Sequence, residues 1–354
     1  MILHDSKRLF YFFIKGICLS ENNRIFVAGG NLVYHEYKIF NSFDRKYKSK
    51  ALHKKNESVS SKNDKNLKEF VSLFDDRDSL KDGEEILSKE LYEYDNIHDT
   101  WIRRANMLFA KANFTLCAMD DKIYSFGGIT KNQDQFDIVE CYDLNENKWN
   151  YECSMPAPFV AGCVVRHEDA FYVMGGRSGV GRFNNCYMFK PKTREWTEIS
   201  KMLVGRFNFG ACVLNNKIYV FGGQRYNESE QNYYTREALD SVEMFDLDTR
   251  EWSIVTLMPS PLYNTGVCVY DDDLKCIYVC GTTECKYSGN TLIGFIFTSV
   301  FRLEIFNDLN NETKYKWTVV EHDVSEIKSN YRCLAAKLNT KKIHKCHTDI
   351  LLKN

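Results

Sequence analysis

Lys217-Ile-Tyr-Val-Phe-Gly222-Gly223 ends a β-branched and aromatic run in two glycines, and Val242-Glu-Met-Phe-Asp-Leu247 and Trp252 follow it. Such a run reads as a buried strand, and paired glycines stop it where the backbone must turn or let another chain come close. The run ending in Phe245-Asp246 reads as a second strand, and a turn containing Asp248, Thr249 and Arg250 leads to a third at Trp252. Strands at this spacing make a small antiparallel sheet. The same order recurs along the chain. Ile123-Tyr-Ser-Phe-Gly127-Gly128 leads to Val139-Glu-Cys-Tyr-Asp143 and Trp149, and Phe171-Tyr-Val-Met-Gly175-Gly176 leads to Cys186-Tyr-Met-Phe189 and Trp196. Ile25-Phe-Val-Ala-Gly29-Gly30 leads, across a long detour, to Leu91-Tyr-Glu-Tyr-Asp95 and Trp101. Ile277-Tyr-Val-Cys-Gly281-Thr282 is a weaker copy, followed by Leu303-Glu-Ile-Phe-Asn307 and Trp317. These are all five Trp of the chain, separated by 48, 47, 56 and 65 residues.

A period near 50 residues built from a double Gly, an aromatic pair and a Trp is the spacing of kelch repeats, in which each unit is one four-stranded propeller blade. The chain resembles a kelch-repeat protein, and within that group the propeller region of the Kelch-like family. The fold expected is all-β, a kelch-type β-propeller of five recognisable four-stranded blades plus a partial sixth. A blade is apolar on both faces because neighbours sandwich it, and the double Gly leaves room for a bulky aromatic from an adjoining strand or blade. The five Trp therefore read as core between blades.

Composition narrows the partners. The 354 residues are 44% apolar, with a formal net charge of −1 and a pI near 6.7, so nothing favours nucleic acid or an anionic membrane as a global partner. Most of the 13 Cys fall inside strand runs, among them Cys117, Cys141, Cys163, Cys212, Cys268 and Cys280, which suits buried reduced thiols in a cytoplasmic protein. Lys15 interrupts the apolar stretch near the N-terminus and no small-residue cleavage site follows, which argues against a signal peptide. The run from Leu292 to Phe301 is too short to span a bilayer. Three Asn-x-Ser/Thr sequons, at Asn113, Asn227 and Asn311, carry little weight in an Asn-rich chain.

The blades are expected at about 9–101, 104–149, 156–196, 202–252 and 259–317, with 9–30 as the opening hairpin of the first. Residues 40–90 read as an insertion into one loop of blade one, since their removal restores the usual distance from double Gly to Trp. The insertion opens with a Lys- and Ser/Asn-rich part and closes with an acidic one, a composition that predicts disorder; a docking arm is the functional alternative. Residues 224–241 and 282–300 lengthen the equivalent loops of blades four and five, so insertions gather on one face, as they often do on the binding face of a repeat protein. At the far end, about 331–345 resembles the start of a sixth blade, but no Gly-Gly and no Trp follow. Two readings stay open: an unfinished sixth blade, which matches the segment better, or a terminal strand that seals a five-bladed ring.

No catalytic, metal or cofactor site is expected. A kelch-type copper radical oxidase needs Tyr, Cys and His ligands around one open metal position. The eight His are dispersed, and only His344 and His347, with Cys346 between them, come near a ligand spacing. Asp271-Asp-Asp273 stands where other copies have Asn-Asn hairpin turns, so turn chemistry explains it.

The resemblance implies a binding face instead. In that family, peptides lie across the propeller and meet residues just after the double Gly and in the segment before the next blade, where Arg pairs with acidic groups. Carried onto this sequence, the first group is Asn31, Arg177 and Gln224, and the second is Arg206, Phe207 and Asn208, with Asn113 and Asn264 beside them. The Arg usual in the second group is kept at Arg206, approximated by Lys111 and replaced by Phe159 and Leu262, which makes the face less basic. Kelch-like proteins also carry BTB and BACK domains that recruit a cullin-3 ubiquitin ligase, whereas blade one here begins almost at Met1. The function expected is a non-catalytic module for a protein or peptide partner, most like the substrate-recognition part of a cullin-3 adaptor. An actin-binding kelch protein is the alternative, and a kelch-fold enzyme the weakest reading.

Overall fold

The alternation read in the sequence becomes antiparallel sheet in the computed structural model, which describes residues 2–5, 8–13, 16–19, 24–29, 31–36, 85–95, 100–177, 184–226, 236–270, 276–283, 287–288, 291–292 and 298–322. Blade one comprises Gly16–Leu19, Ile25–Ala28, Leu91–Asp95 and Thr100–Arg104. Blade two comprises Thr115–Met119, Lys122–Phe126, Ile138–Asp143 and Lys148–Ser154. Blade three comprises Cys163–His167, Ala170–Met174, Cys186–Lys190 and Glu195–Ile199. Blade four comprises Gly210–Leu214, Lys217–Phe221, Ser241–Asp246 and Glu251–Leu257. Blade five comprises Leu262–Tyr270, Cys276–Thr283, Thr298–Asn307 and Thr313–His322. The first strands of consecutive blades lie side by side, so they line the axis and the fourth strands form the rim. The described residues contain no helix, hence none long and apolar enough to cross a membrane.

Each core lies between two blades rather than inside one. Phe126 and Val139 of blade two meet Phe171, Val173 and Phe189 of blade three, with Phe126 and Phe171 edge to face at 5.2 Å. Equivalent clusters join blades one and two, three and four, and four and five. Burying one such Phe contributes about 1.5–3 kcal/mol, so stacking the blades supplies most of the stabilisation. The Trp side chains fasten the rim. Trp149 donates its indole N–H to Ala105 O at 3.0 Å and Trp252 donates to Ser200 O at 2.8 Å, each reaching the end of the preceding blade. Trp317 donates to Thr256 Oγ1 on blade four at 3.2 Å. Trp149 and Trp252 are buried, while Trp101, Trp196 and Trp317 are half-buried.

The double glycines close one blade onto the next. Gly127 and Gly128 take φ of +62° and +108°, conformations that a side chain rarely tolerates, and a Cβ on Gly127 would stand 2.1 Å from Phe159 O. The second glycine then donates its N–H across the boundary: Gly128 to Phe159 O at 2.8 Å, Gly176 to Arg206 O at 2.9 Å and Gly223 to Leu262 O at 2.8 Å. Before Trp149 and Trp252 an Asp side chain shapes the turn: Asp143 accepts from Asn145 N at 2.9 Å and Asp246 from Asp248 N at 2.9 Å.

Two boundaries differ from expectation. Arg8–Phe13 does not belong to the first hairpin of blade one: it pairs with Asn31–Glu36 in a separate sheet that also holds Ile2–Asp5 and Glu85–Leu87. An apolar run shows that a strand will form but not which partner it pairs with. The last residues of the expected insertion also belong to the fold. Glu85–Leu87 is a strand, Ser88 and Glu90 are buried, and Glu90 O accepts from Gly29 N at 3.0 Å. Residues 40–84 lie outside the described residues, as do the partial sixth blade at 331–345 and the His344, Cys346, His347 cluster.

Candidate interaction face

Because strands alternate direction, the linker into each blade and the loop after each double Gly emerge on the same face. Isolated bridges join them, Ala112 to Ile129, Val160 to Arg177 and Phe207 to Gln224. The backbone of this face is therefore ordered by the blades beneath it.

The residues expected to contact a partner divide into two groups. Arg206 proves to be structural. It is fully buried, paired with Glu243, and donates Nη1 to Gly222 O at 2.8 Å and Ser241 O at 3.1 Å. Glu243 in turn accepts the N–H of Leu203 at 2.7 Å and of Val204 at 3.0 Å, so the pair locks the linker onto the third strand. Blade two repeats the device with Lys111 and Glu140, both fully buried and 2.5 Å apart, with Glu140 accepting Leu108 N at 2.8 Å. Burial pushes the pKa of both Lys111 and Arg206 down, and the facing glutamates oppose that. Where blade three has Phe159 for the cation it has Tyr187 for the glutamate, and where blade five has Leu262 it has Phe301. In blade three that substitution lines a small pocket with Met155, Pro158 and Trp196. The blades without the cation thus also lack its buried partner, so its absence says nothing of the charge of the face.

Asn113, Asn208 and Asn264 share one backbone role. Their φ values are 58°, 54° and 51°, with Ala161 at 58° in the same place in blade three. Asn tolerates this left-handed region better than most residues. These positions also link blades around the axis: Ala161 N donates to Asn113 O at 2.8 Å, Asn208 N to Ala161 O at 2.7 Å and Thr265 N to Asn208 O at 3.3 Å. Asn31 begins the strand Asn31–Glu36, opposite Phe13 and Leu87.

The structure gathers the remaining positions between blades three and four. Gln224 opens a hairpin, Gln224–Tyr226 against Arg236–Ala238, and Asn208 Nδ2 donates to Gln224 Oε1 at 3.4 Å. Phe207 is only 1% exposed, so it supports the surface rather than projecting from it. Its ring stacks on Tyr226 at 5.2 Å and lies beneath the Arg177 guanidinium at 5.6 Å and that of Arg236 at 5.8 Å. Tyr226 and Arg236 were not among the expected contacts. Residues 224–238 are mostly polar and show no apolar alternation, so the sequence carried no signal of the hairpin that presents them.

Among the described residues, no group of three or more His, Cys, Asp or Glu is placed to hold a metal ion. Burial pushes the Cys117 and Cys186 thiols up to about 12 and Cys141 up to about 11, which keeps them protonated near neutral pH.

Known proteins carry the same units. The chain is 35% identical to human Kelch-like protein 23 over 52% of its length, which is 31% of that protein, and 25% identical to Kelch-like protein 40 of Xenopus laevis over 74% of its length, 40% of that protein. It is 26% identical to alpha-scruin of Limulus polyphemus over 56% of its length, 22% of that protein. The chain thus spans about a third of the Kelch-like protein it matches at 35% identity. The solved structure of YjhT superposes with a TM-score of 0.56 at 10% identity, covering 85% of this chain and 82% of that one, a likeness of fold alone. Residues 113–323, well over half the chain, match the KLHDC2/KLHL20/DRC7 Kelch-repeats domain, and with its five four-stranded blades the chain belongs to the Kelch-repeat family.

Proposed function

We propose that this propeller is a non-catalytic interaction module whose loop-rich face holds a segment of a protein partner, and that in a longer protein it serves as the substrate-recognition half of a cullin-3 ubiquitin ligase adaptor. The observation that carries the reading is the surface between blades three and four. Arg177, Gln224 and Arg236 stand there around a stacked Phe207 and Tyr226, on backbone fixed by Val160 and by the Gln224–Tyr226 hairpin. Aromatic anchors with arginines on a rigid scaffold are what hot spots of protein interfaces consist of. The Kelch-like relatives agree with a protein-interaction role.

Display of proteome-derived peptides on phage, selected on the full chain, tests the reading. Enrichment of a peptide family that binds wild type and is lost with Gln224→Ala together with Arg236→Glu is the result expected. Cosedimentation with actin filaments, unaffected by those substitutions, would favour the cytoskeletal alternative and overturn the adaptor role.

A further inference from the structure

We propose that Arg177 and Arg236 form a receiving site for a phosphorylated side chain of the partner. The inference rests on the interaction reading of this face and deepens it. Its starting point is a charge imbalance. Arg24, Arg103, Arg104, Arg166, Arg194, Arg206, Arg225 and Arg302 each have a carboxylate within 4.0 Å. Arg177 and Arg236 have none among the described residues. The acid beside them in the hairpin, Glu237, is taken by Arg225 at 2.7 Å. Among the described residues Arg250 also has no carboxylate within 4.0 Å, but it lies in an exposed turn on the opposite face.

Both guanidiniums lie within 6 Å of the same Phe207 ring, and neither has a carboxylate within 4.0 Å among the described residues. The aromatic platform holds them in place and keeps water off one side, which strengthens their pull on an anion. Arg177 Nη1 reaches Tyr226 OH at only 3.5 Å, and its buried Nε has no acceptor among the described residues. The complement to two guanidiniums is a group with close to two negative charges and several acceptor oxygens. A phosphate monoester carries about −1.5 to −2 near neutral pH with three such oxygens, whereas one carboxylate carries half of that.

The test uses degenerate peptide libraries centred on phosphoserine, phosphothreonine or phosphotyrosine, each beside the same library unphosphorylated and with Glu at the centre. The full chain should retain one phosphorylated library about tenfold or more over its two counterparts. Arg177→Ala and Arg236→Ala should each abolish that preference, Arg177→Lys should keep part of it, and Arg250→Ala should change nothing. Arg236 is exposed, so its variant tests the site even if Arg177→Ala disturbs folding, which thermal unfolding would reveal. Equal retention of the Glu library overturns the phosphate assignment and leaves an acidic-peptide site. Retention of unphosphorylated peptides that both arginine variants leave intact overturns the site while the interaction reading stands. Failure of every library, together with no enrichment on phage, overturns both. Inorganic phosphate that binds as tightly as the phosphopeptides would mark a small-anion site and also defeat the inference.

Discussion

Replacing Arg206 with Met removes the guanidinium and leaves the fully buried Glu243 carboxylate without its cation. Breaking a buried pair from one side costs about 3–5 kcal/mol, because the remaining charge is neither solvated nor compensated. Three hydrogen bonds from Arg206, to Gly222 O, Ser241 O and Ser241 Oγ, disappear as well. The second substitution, Glu243→Gln, removes the stranded charge and keeps one amide oxygen for either Leu203 N or Val204 N, which now donate to separate carboxylate oxygens, while the NH2 faces the other. Glu243→Gln alone should destabilise the wild type, since it strands Arg206, but should stabilise the Arg206→Met protein. The double variant should therefore lie only about 1–3 kcal/mol below wild type, the residue of the lost neutral hydrogen bonds. With an unfolding entropy of roughly 2.1 cal/mol/K per residue, a 4 kcal/mol loss lowers the midpoint of this chain by roughly 5–6 °C. Scanning calorimetry on all four proteins completes the cycle. If Arg206→Met unfolds within about 1 °C of wild type, or if the two substitutions are simply additive, the pair is not buried as described and the explanation of blades three and five fails with it.

Other consequences follow from individual groups. Gly127→Ala should cost at least about 2 kcal/mol, since it strains a positive φ and drives a Cβ into Phe159 O; equal stability in urea would refute the close approach. Burial alone would raise the Glu93 carboxyl, but Arg24 and Arg104 hold it below its ordinary value. A depressed carboxyl contributes stability above its unfolded pKa and loses it as pH falls through the folded one, so Arg24→Gln should move the acid-unfolding midpoint to higher pH; an unchanged midpoint would contradict the pairing. Cys117 and Cys186, pushed up to about 12, should resist iodoacetamide at pH 8 in the native protein and react once urea unfolds it, as peptide mapping would read; rapid native labelling would place those thiols in water.

Much of the architecture was written in short-range pattern. An apolar run before one or two glycines, and a Trp across a turn from the next strand, each fix a local geometry that needs no knowledge of distant partners, and five repetitions give the blades. What depended on long-range pairing was harder to read. Arg206 sits in a linker and reads as exposed, because its partner Glu243 is 37 residues away and one glutamate among many. The matched losses at Phe159 with Tyr187 and Leu262 with Phe301 are intelligible only once strand register places them together. Arg8–Phe13 misled for a similar reason: its apolar run suits more than one edge, and pairing with Asn31–Glu36 is a matter of register. On the candidate face, Arg177 and Gln224 could be found from their place after the double Gly, whereas Arg236 comes to them only through the hairpin that folds residues 236–238 back on 224–226.

Hydrogen exchange of the full chain, free and saturated with a peptide enriched in the phage selection, tests the location of binding most directly. The account predicts slowed exchange at 160–177, 203–208, 224–226 and 236–238, with the turns between third and fourth strands unchanged. Protection confined to those turns or to the outer strands Glu251–Leu257 and Thr313–His322 would contradict it.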